Sequence, residues 1–148
     1  MRKRHVLAFA VCSLLAIAFA QDHATPPTFA GTWQGSFKGA VFCVLKINSS
    51  SEISGTLSPG KISGNGDGDL TEARPSGPNA AAPILNAKID GRALLFDWKE
   101  NGDDEAVKFE LKLTGDNEAE MRFIGEARIK PIHLRRAAEP RQYYSCLG

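Results

Sequence analysis

The sequence predicts an all-β domain, an antiparallel up-and-down (meander) barrel of about eight strands. Apolar residues recur with a period of two, which is typical of half-buried strands. The clearest run, residues 106–113, places Val, Phe and two Leu on one face and Lys, Glu and Lys on the other. Hairpin turn signals separate such runs, as at Asp90-Gly91 and Gly115-Asp116-Asn117. No apolar stretch keeps a helical period for longer than one turn.

Alternation and turns together define the individual strands. We predict them over residues 29–37, 40–47, 52–63, 83–90, 92–99, 105–113, 118–124 and 129–136. Pro59-Gly60 predicts a bend or bulge within the third strand, because proline cannot donate to a central ladder. The segment 64–82 is rich in Gly, Pro, Asp and Ala and is predicted to be a long loop. Eight sequential strands can close on themselves and leave no free edge.

The connections of a meander barrel alternate between its two ends. Tight turns at 48–51, 90–92 and 114–117 fall at one end, together with the start of the first strand and the end of the last. We therefore expect this end to be closed. The opposite end, called the mouth, collects the connections 37–40, 64–82, 100–104 and 125–128.

The N-terminal segment has the pattern of a signal peptide. Arg2, Lys3 and Arg4 precede an apolar run over residues 6–17, and Ala18-Phe19-Ala20 forms a small-x-small cleavage site. We expect cleavage after Ala20 and a secreted or periplasmic protein without a membrane span. The expected organisation is 1–20 signal peptide, 21–28 N-terminal tail, 29–137 barrel and 138–148 C-terminal tail, and a monomer is expected.

Charge argues against one class of partner. Loss of Arg2, Lys3 and Arg4 leaves 15 basic residues against 17 acidic ones. Nucleic-acid binding needs a basic surface that neutralises phosphates, so nucleic acid is not expected as a partner. Acids are concentrated over 97–120 and bases over 122–141, which indicates charged strand faces that pair across the sheet.

Two cysteines remain after the signal peptide, Cys43 and Cys146. A disulfide between them would tie the C-terminal tail to the second strand. Alternatively, Cys43 is buried as a small apolar residue and Cys146 is a free thiol. Cys43 shares strand parity with Val41, Leu45 and Ile47, which points it inward and favours the second interpretation.

The residues that carry enzyme chemistry are sparse. His23 lies in the N-terminal tail, and His133 alternates with Ile132 and Leu134, so it should face solvent. Neither can be assembled with partners into a nucleophilic or zinc site. The acidic segment 65–72 resembles a calcium loop but lacks the Gly and Glu that an EF-hand needs at positions six and twelve. No enzyme activity, metal or cofactor is expected.

Gly31-Thr32-Trp33 on the first strand and Arg135-Arg136 at the end of the last carry a resemblance. The chain resembles the calycin group, which includes lipocalins and fatty-acid-binding proteins, and small secreted bacterial barrels that begin Gly-Thr-Trp-x-Gly. The resemblance implies that Trp33 packs beneath a basic side chain at the closed end. Arg136 has the inward parity of Leu134 and is preferred. A Thr-Asp-Tyr-like middle motif and an Arg-x-Tyr pair on the last strand are absent from the sequence.

The remaining candidate site is the mouth. Trp98 and Phe96 are predicted to point inward, and Phe37 ends the first strand at the same end of the barrel. Aromatic side chains there could bind a small apolar ligand in the lumen. The alternative is a filled core and a protein-interaction module, such as an envelope accessory factor or inhibitor, that contacts an envelope protein through its mouth loops. The expected inward side chains are bulky: Leu45, Ile47, Ile53, Leu57, Leu85, Ile89, Leu94, Phe96, Val107, Phe109, Leu111, Met121, Phe123, Ile132 and Leu134.

Overall fold

The computed structural model describes residues 28–49, 51–125 and 128–138, and within them the chain is all-β. Ten strands follow one another: β1 (Gly31–Phe37), β2 (Ala40–Ser49), β3 (Ile53–Ser58), β4 (Lys61–Gly64), β5 (Leu70–Arg74), β6 (Ala82–Asp90), β7 (Ala93–Trp98), β8 (Val107–Leu113), β9 (Glu118–Ile124) and β10 (Ile132–Arg136).

Eight of these strands form a closed antiparallel barrel in the order β1-β10-β9-β8-β7-β6-β3-β2. The predicted fold class is therefore confirmed. Strands β4 and β5 form a separate two-stranded hairpin, inserted between β3 and β6. The β3–β6 pairing is short and joins Thr56 with Pro83 and Leu57 with Ala82.

The third predicted strand, 52–63, is wrong in extent because the chain turns after Ser58. Gly60 has φ 74°. A Cβ atom at this position would lie 2.4 Å from the Phe42 carbonyl oxygen, so glycine permits both the turn and the close approach. The predicted loop 64–82 is also wrong in part, since it contains β5. The short apolar signal of Leu70 and Ala73 was hidden among Gly, Asp and Pro.

The barrel interior is filled by side chains. The largest fully buried ones are Trp33, Phe109, Leu45, Leu57, Leu94, Leu111, Met121, Leu134 and Cys43. Phe109 stacks on Phe96 with ring centroids 5.5 Å apart and packs against Phe123 at 4.8 Å. Eight-stranded barrels are just wide enough for such side chains to fill them.

Three residues predicted to point inward are exposed instead: Leu85 (44%), Ile89 (50%) and Val107 (40%). Between Leu85 and Lys88 the β6–β7 register shifts, and Asn86 has φ 52°. One extra residue in a strand interrupts the alternation of faces, so residues before and after it no longer share parity. Leu85, before the extra residue, lies opposite the outward-facing Asp97 and is exposed, while Ile84 lies opposite Trp98 and is buried.

Ile89 and Val107 are exposed because they lie near the ends of their strands. Ile89 is next to the last residue of β6, and Val107 is the first residue of β8. A second bulge, opposite Gly35 and Ser36, leaves Val41 exposed and Phe42 buried.

The outer faces of β7–β10 carry ion pairs that join neighbouring strands. Asp97 pairs with Lys108 at 3.1 Å, and Glu110 pairs with Arg122 at 2.9 Å. Glu118 lies 3.8 Å from Arg135. The acidic and basic segments of the sequence therefore meet across the sheet, as expected. Hydrogen bonds from Asn86 and Lys108 lower the pKa of Asp97.

Candidate functional site

The closed end is built around Trp33, which is fully buried on β1. The guanidinium carbon of Arg136 lies 4.3 Å from the centroid of the indole ring. The indole Nε1 donates a hydrogen bond of 2.8 Å to the Phe29 carbonyl oxygen. Gly31, with φ 124°, makes room for this pair, because a Cβ there would lie 3.0 Å from Arg136 Nη1.

Arg136 also ties the closed end together through backbone carbonyls. Its guanidinium donates to the carbonyl oxygens of Ala30, of Thr28 at 2.8 Å and of Asp116 at 3.3 Å. A stacked, partly desolvated guanidinium contributes roughly 1–2 kcal/mol. With three hydrogen bonds to carbonyl oxygens and one face against an indole, the Arg136 guanidinium holds the closed end together.

The β4–β5 hairpin lies at the mouth, where β3 ends and β10 begins. Ile62, Leu70 and Ala73 are partly buried and pack against the core. The tip of the hairpin reaches the segment before β10, where a Cβ at Gly64 would lie 2.4 Å from Ile129 Cδ1. The hairpin thus bridges two parts of the mouth that are distant in sequence.

Polar contacts hold the tip in place. The Lys130 backbone N–H donates to the Gly68 carbonyl oxygen at 2.9 Å, and Lys130 Nζ contacts Asp69 Oδ1 at 2.7 Å. Inside the tip, Asn65 Oδ1 accepts from the N–H groups of Asp67 and Asp69 at 3.0 and 2.9 Å. The Lys130 hydrogen bond is the main cause of a lowered pKa at Asp69.

In this acidic loop, Asn65 Oδ1 and Asp69 Oδ1 are therefore engaged within the protein. In the described part of the chain, no group of three or more His, Cys, Asp or Glu residues is arranged to hold a metal ion.

A surface cleft of about 480 Å³ opens beneath the hairpin tip, and we call it the mouth cleft. Its apolar wall consists of Phe37, Phe42, Leu70, Pro131 and Ile132, and its polar rim of Ser36, Gly68, Asp69, Glu120, Lys130 and His133. Its volume lies in the range of sites that hold ligands, roughly 300–1,000 Å³.

Of the residues in this cleft, the sequence had indicated only Phe37. The missed signal is the pair of glycines in Asn65-Gly66-Asp67-Gly68, which marks a hairpin tip between two short strands.

The three aromatic residues predicted to bind a ligand are not brought together. Phe96 and Trp98 are buried on β7, at 2% and 6% exposure. Phe37 ends β1, on the opposite side of the barrel in the strand order. Trp98 Nε1 is a buried donor without a hydrogen-bond partner among the described residues. Side chains around a ligand-sized lumen would keep accessible surface, whereas these have almost none.

Cys43 lies in the barrel interior, fully buried beside Gly35 and Leu134. Burial raises the pKa of its thiol to about 12. The proposed disulfide partner, Cys146, lies outside the described residues, as do the signal peptide, residues 21–27 of the N-terminal tail and residues 139–148 of the C-terminal tail. His133 is exposed at the rim of the mouth cleft, with Nδ1 3.6 Å from a Glu120 carboxylate oxygen.

Comparison with known proteins gives no family for this chain: no protein-family model, no curated protein and no solved structure matches it. Among the described residues there is also no helix that is long and apolar enough to cross a membrane.

Proposed function

We propose that this chain is a secreted, non-enzymatic, calycin-like barrel that serves as a protein-interaction module. One observation carries the proposal: side chains fill the barrel interior, and the mouth cleft lies outside the barrel, beneath the β4–β5 hairpin. The meander barrel and the stacking of Arg136 on Trp33 support the calycin-like assignment.

The packing of the lumen supports a solid module over a carrier. Phe109, Leu111, Met121 and Leu134 each keep less than 2% of their surface accessible. A ligand inside the barrel would have to displace several of them, and close-packed interiors resist such changes. Loops held on a rigid scaffold are the usual place for contacts with a partner.

A capture experiment tests the interaction module. The purified wild-type protein is immobilised and exposed to an envelope extract. A Leu70→Ser variant, in which the mouth cleft is disturbed, is treated in the same way. Ile89→Ser is the matched control, because Ile89 is an exposed apolar residue outside this cleft, beside the turn 90–92 at the closed end. We expect one partner to be captured by the wild type and the control and lost with Leu70→Ser, while circular dichroism stays unchanged. Equal capture by all three proteins contradicts contact through the mouth.

A small apolar ligand in the lumen is the second candidate, and Trp98 supports it. Its unpartnered, buried Nε1 could donate to a polar atom of such a ligand. A thermal-shift screen with lipids, retinoids and haem separates the candidates. A shift that disappears in Trp98→Phe favours the ligand carrier, whereas no shift with any class favours the solid module.

Secretion is proposed from the N-terminal pattern and has a direct test. Mass spectrometry of the protein recovered outside the cytoplasm should find a chain that begins at Gln21. A chain that retains Arg2, Lys3 and Arg4 there would argue against cleavage after Ala20.

A further inference from the structure

The two carboxylates at the rim of the mouth cleft differ in how they are paired. The Lys130 ammonium lies 2.7 Å from an Asp69 carboxylate oxygen. Glu120 has only the His133 imidazole, at 3.6 Å. Other carboxylates on the same face of the barrel, Asp97 and Glu110, have a Lys or Arg at 3.1 and 2.9 Å. Glu120 is thus the carboxylate of the cleft that lacks a close Lys or Arg among the described ion pairs.

Other basic side chains nearby do not change this. Lys112 lies directly across the β8–β9 ladder from Glu120, but no ion pair joins them among the described residues. Lys38 lies over the Phe37 ring, with Nζ 5.1 Å from the centroid.

An apolar wall lies beside this carboxylate. Leu70 and Pro131 line the same cleft as Glu120 and keep accessible apolar surface, whereas Phe42 and Ile132, which also line it, are buried. A ligand that fits must therefore combine a positive charge with an adjacent apolar group. A basic side chain next to an apolar side chain has this chemistry, and it can be presented by a short exposed segment of a protein.

We propose that the mouth cleft receives a partner-protein segment in which an arginine or lysine adjoins an apolar residue, an inference that rests on the proposed function. The cation contacts the Glu120 carboxylate, and the apolar side chain packs on Leu70 and Pro131. Charge pairing at a partly exposed site is modest, so a basic residue should improve affinity about two- to fivefold over a neutral one.

Three capped tripeptides test the charge preference: acetyl-Leu-Arg-Leu-amide, its Gln analogue and its Glu analogue. Each is titrated into the ¹⁵N-labelled protein, and amide shifts are followed at Ser36, Leu70 and Ile132. The Arg peptide should bind about two- to fivefold tighter than the Gln peptide, and the Glu peptide should bind most weakly. Equal binding of the Arg and Gln peptides, shifts that map elsewhere, or no binding at millimolar concentration overturns the proposal.

Glu120→Gln should abolish the preference for the Arg peptide while leaving the affinity for the Gln peptide unchanged. The matched control is Glu118→Gln, on the same strand and outside the cleft, where Glu118 faces Arg135. A preference that survives Glu120→Gln overturns the proposal. If capture of the natural partner depends on Leu70 but not on Glu120, the interaction module stands and the basic segment does not.

Discussion

At the scale of single residues, the closed end shows how few positions decide its shape. Gly31 leaves space, Trp33 fills it and Arg136 covers the indole while donating to three carbonyls. Each depends on the others, since a side chain at Gly31 would meet the guanidinium. The closed end is therefore a structural unit, and the functional proposals concern the opposite end.

Truncation of Trp33 to Ala should lower the free energy of unfolding by about 3–5 kcal/mol, because it leaves a large cavity in a packed core. Urea denaturation followed by circular dichroism measures the change. Trp33→Phe, which keeps an aromatic ring, should lose less stability than Trp33→Ala. An unchanged midpoint for Trp33→Ala would contradict the role of Trp33 as the base of the barrel.

The Cys43 thiol should be inert while the protein is folded, because burial raises its pKa to about 12 and the thiolate is the reactive form. In a Cys146→Ser variant, a thiol reagent at pH 8 should modify Cys43 far more slowly than in the same variant unfolded in urea. Modification at the unfolded rate under native conditions would show that the interior opens readily.

Strand parity predicted the inward side chains of β7 to β10, including Phe96, Leu111 and Leu134, because these strands run without bulges. Val107, the first residue of β8, is the exception. The prediction is wrong at Leu85, because Asn86 adopts a left-handed backbone conformation and the extra residue there shifts the β6–β7 register. Asn adopts this conformation more readily than most residues, but most Asn residues do not adopt it, so the residue type alone does not predict the bulge. A bulge depends on neighbouring strands, which a single sequence does not display.

At the scale of elements, the β4–β5 hairpin distinguishes this barrel from a simple meander. Its own pairing covers only Lys61–Gly64 with Leu70–Arg74. An isolated hairpin of this length is at most marginally stable, so its position depends on contacts with the mouth. The sequence could suggest a turn at its glycines, but not the docking of Gly68 and Asp69 on Lys130, which is 61 residues from Asp69.

Asp69→Asn should speed amide hydrogen exchange across residues 61–74 at pH 7, with no change in the barrel strands. Lys130 lowers the pKa of Asp69 below its ordinary value of 3.8. The contribution of this pair is therefore present above pH 3.8 and is lost as pH falls through the lowered folded pKa. At sufficiently low pH, the wild type and the variant should exchange alike after correction for intrinsic rates.

The matched control is Glu72→Gln, which removes the Glu72–Arg74 ion pair inside the hairpin and leaves its tip contact intact. Exchange in this control should stay close to that of the wild type at pH 7. Equal acceleration in both variants would mean that the hairpin is held by its own pairing rather than by Lys130.

At the scale of the whole molecule, the eight barrel strands enclose a continuous apolar core and leave their polar residues outside. The exterior is divided: β7–β10 carry the cross-strand ion pairs, and the mouth carries the hairpin and its cleft. A solid interior confines any partner to the outer surface, which is why the function is proposed there.

A solid interior predicts that a ligand site inside the barrel must be made by mutation. Phe109→Ala removes a fully buried ring from the stacked group with Phe96 and Phe123, and should cost about 3–5 kcal/mol of stability. The apolar cavity left behind should bind benzene. Benzene should therefore raise the melting temperature of Phe109→Ala and leave that of the wild type unchanged. Phe37→Ala, at the partly exposed end of β1, should show no such rescue. A benzene-dependent rise in the melting temperature of the wild type would indicate an open lumen and would favour Trp98 as a ligand-binding residue.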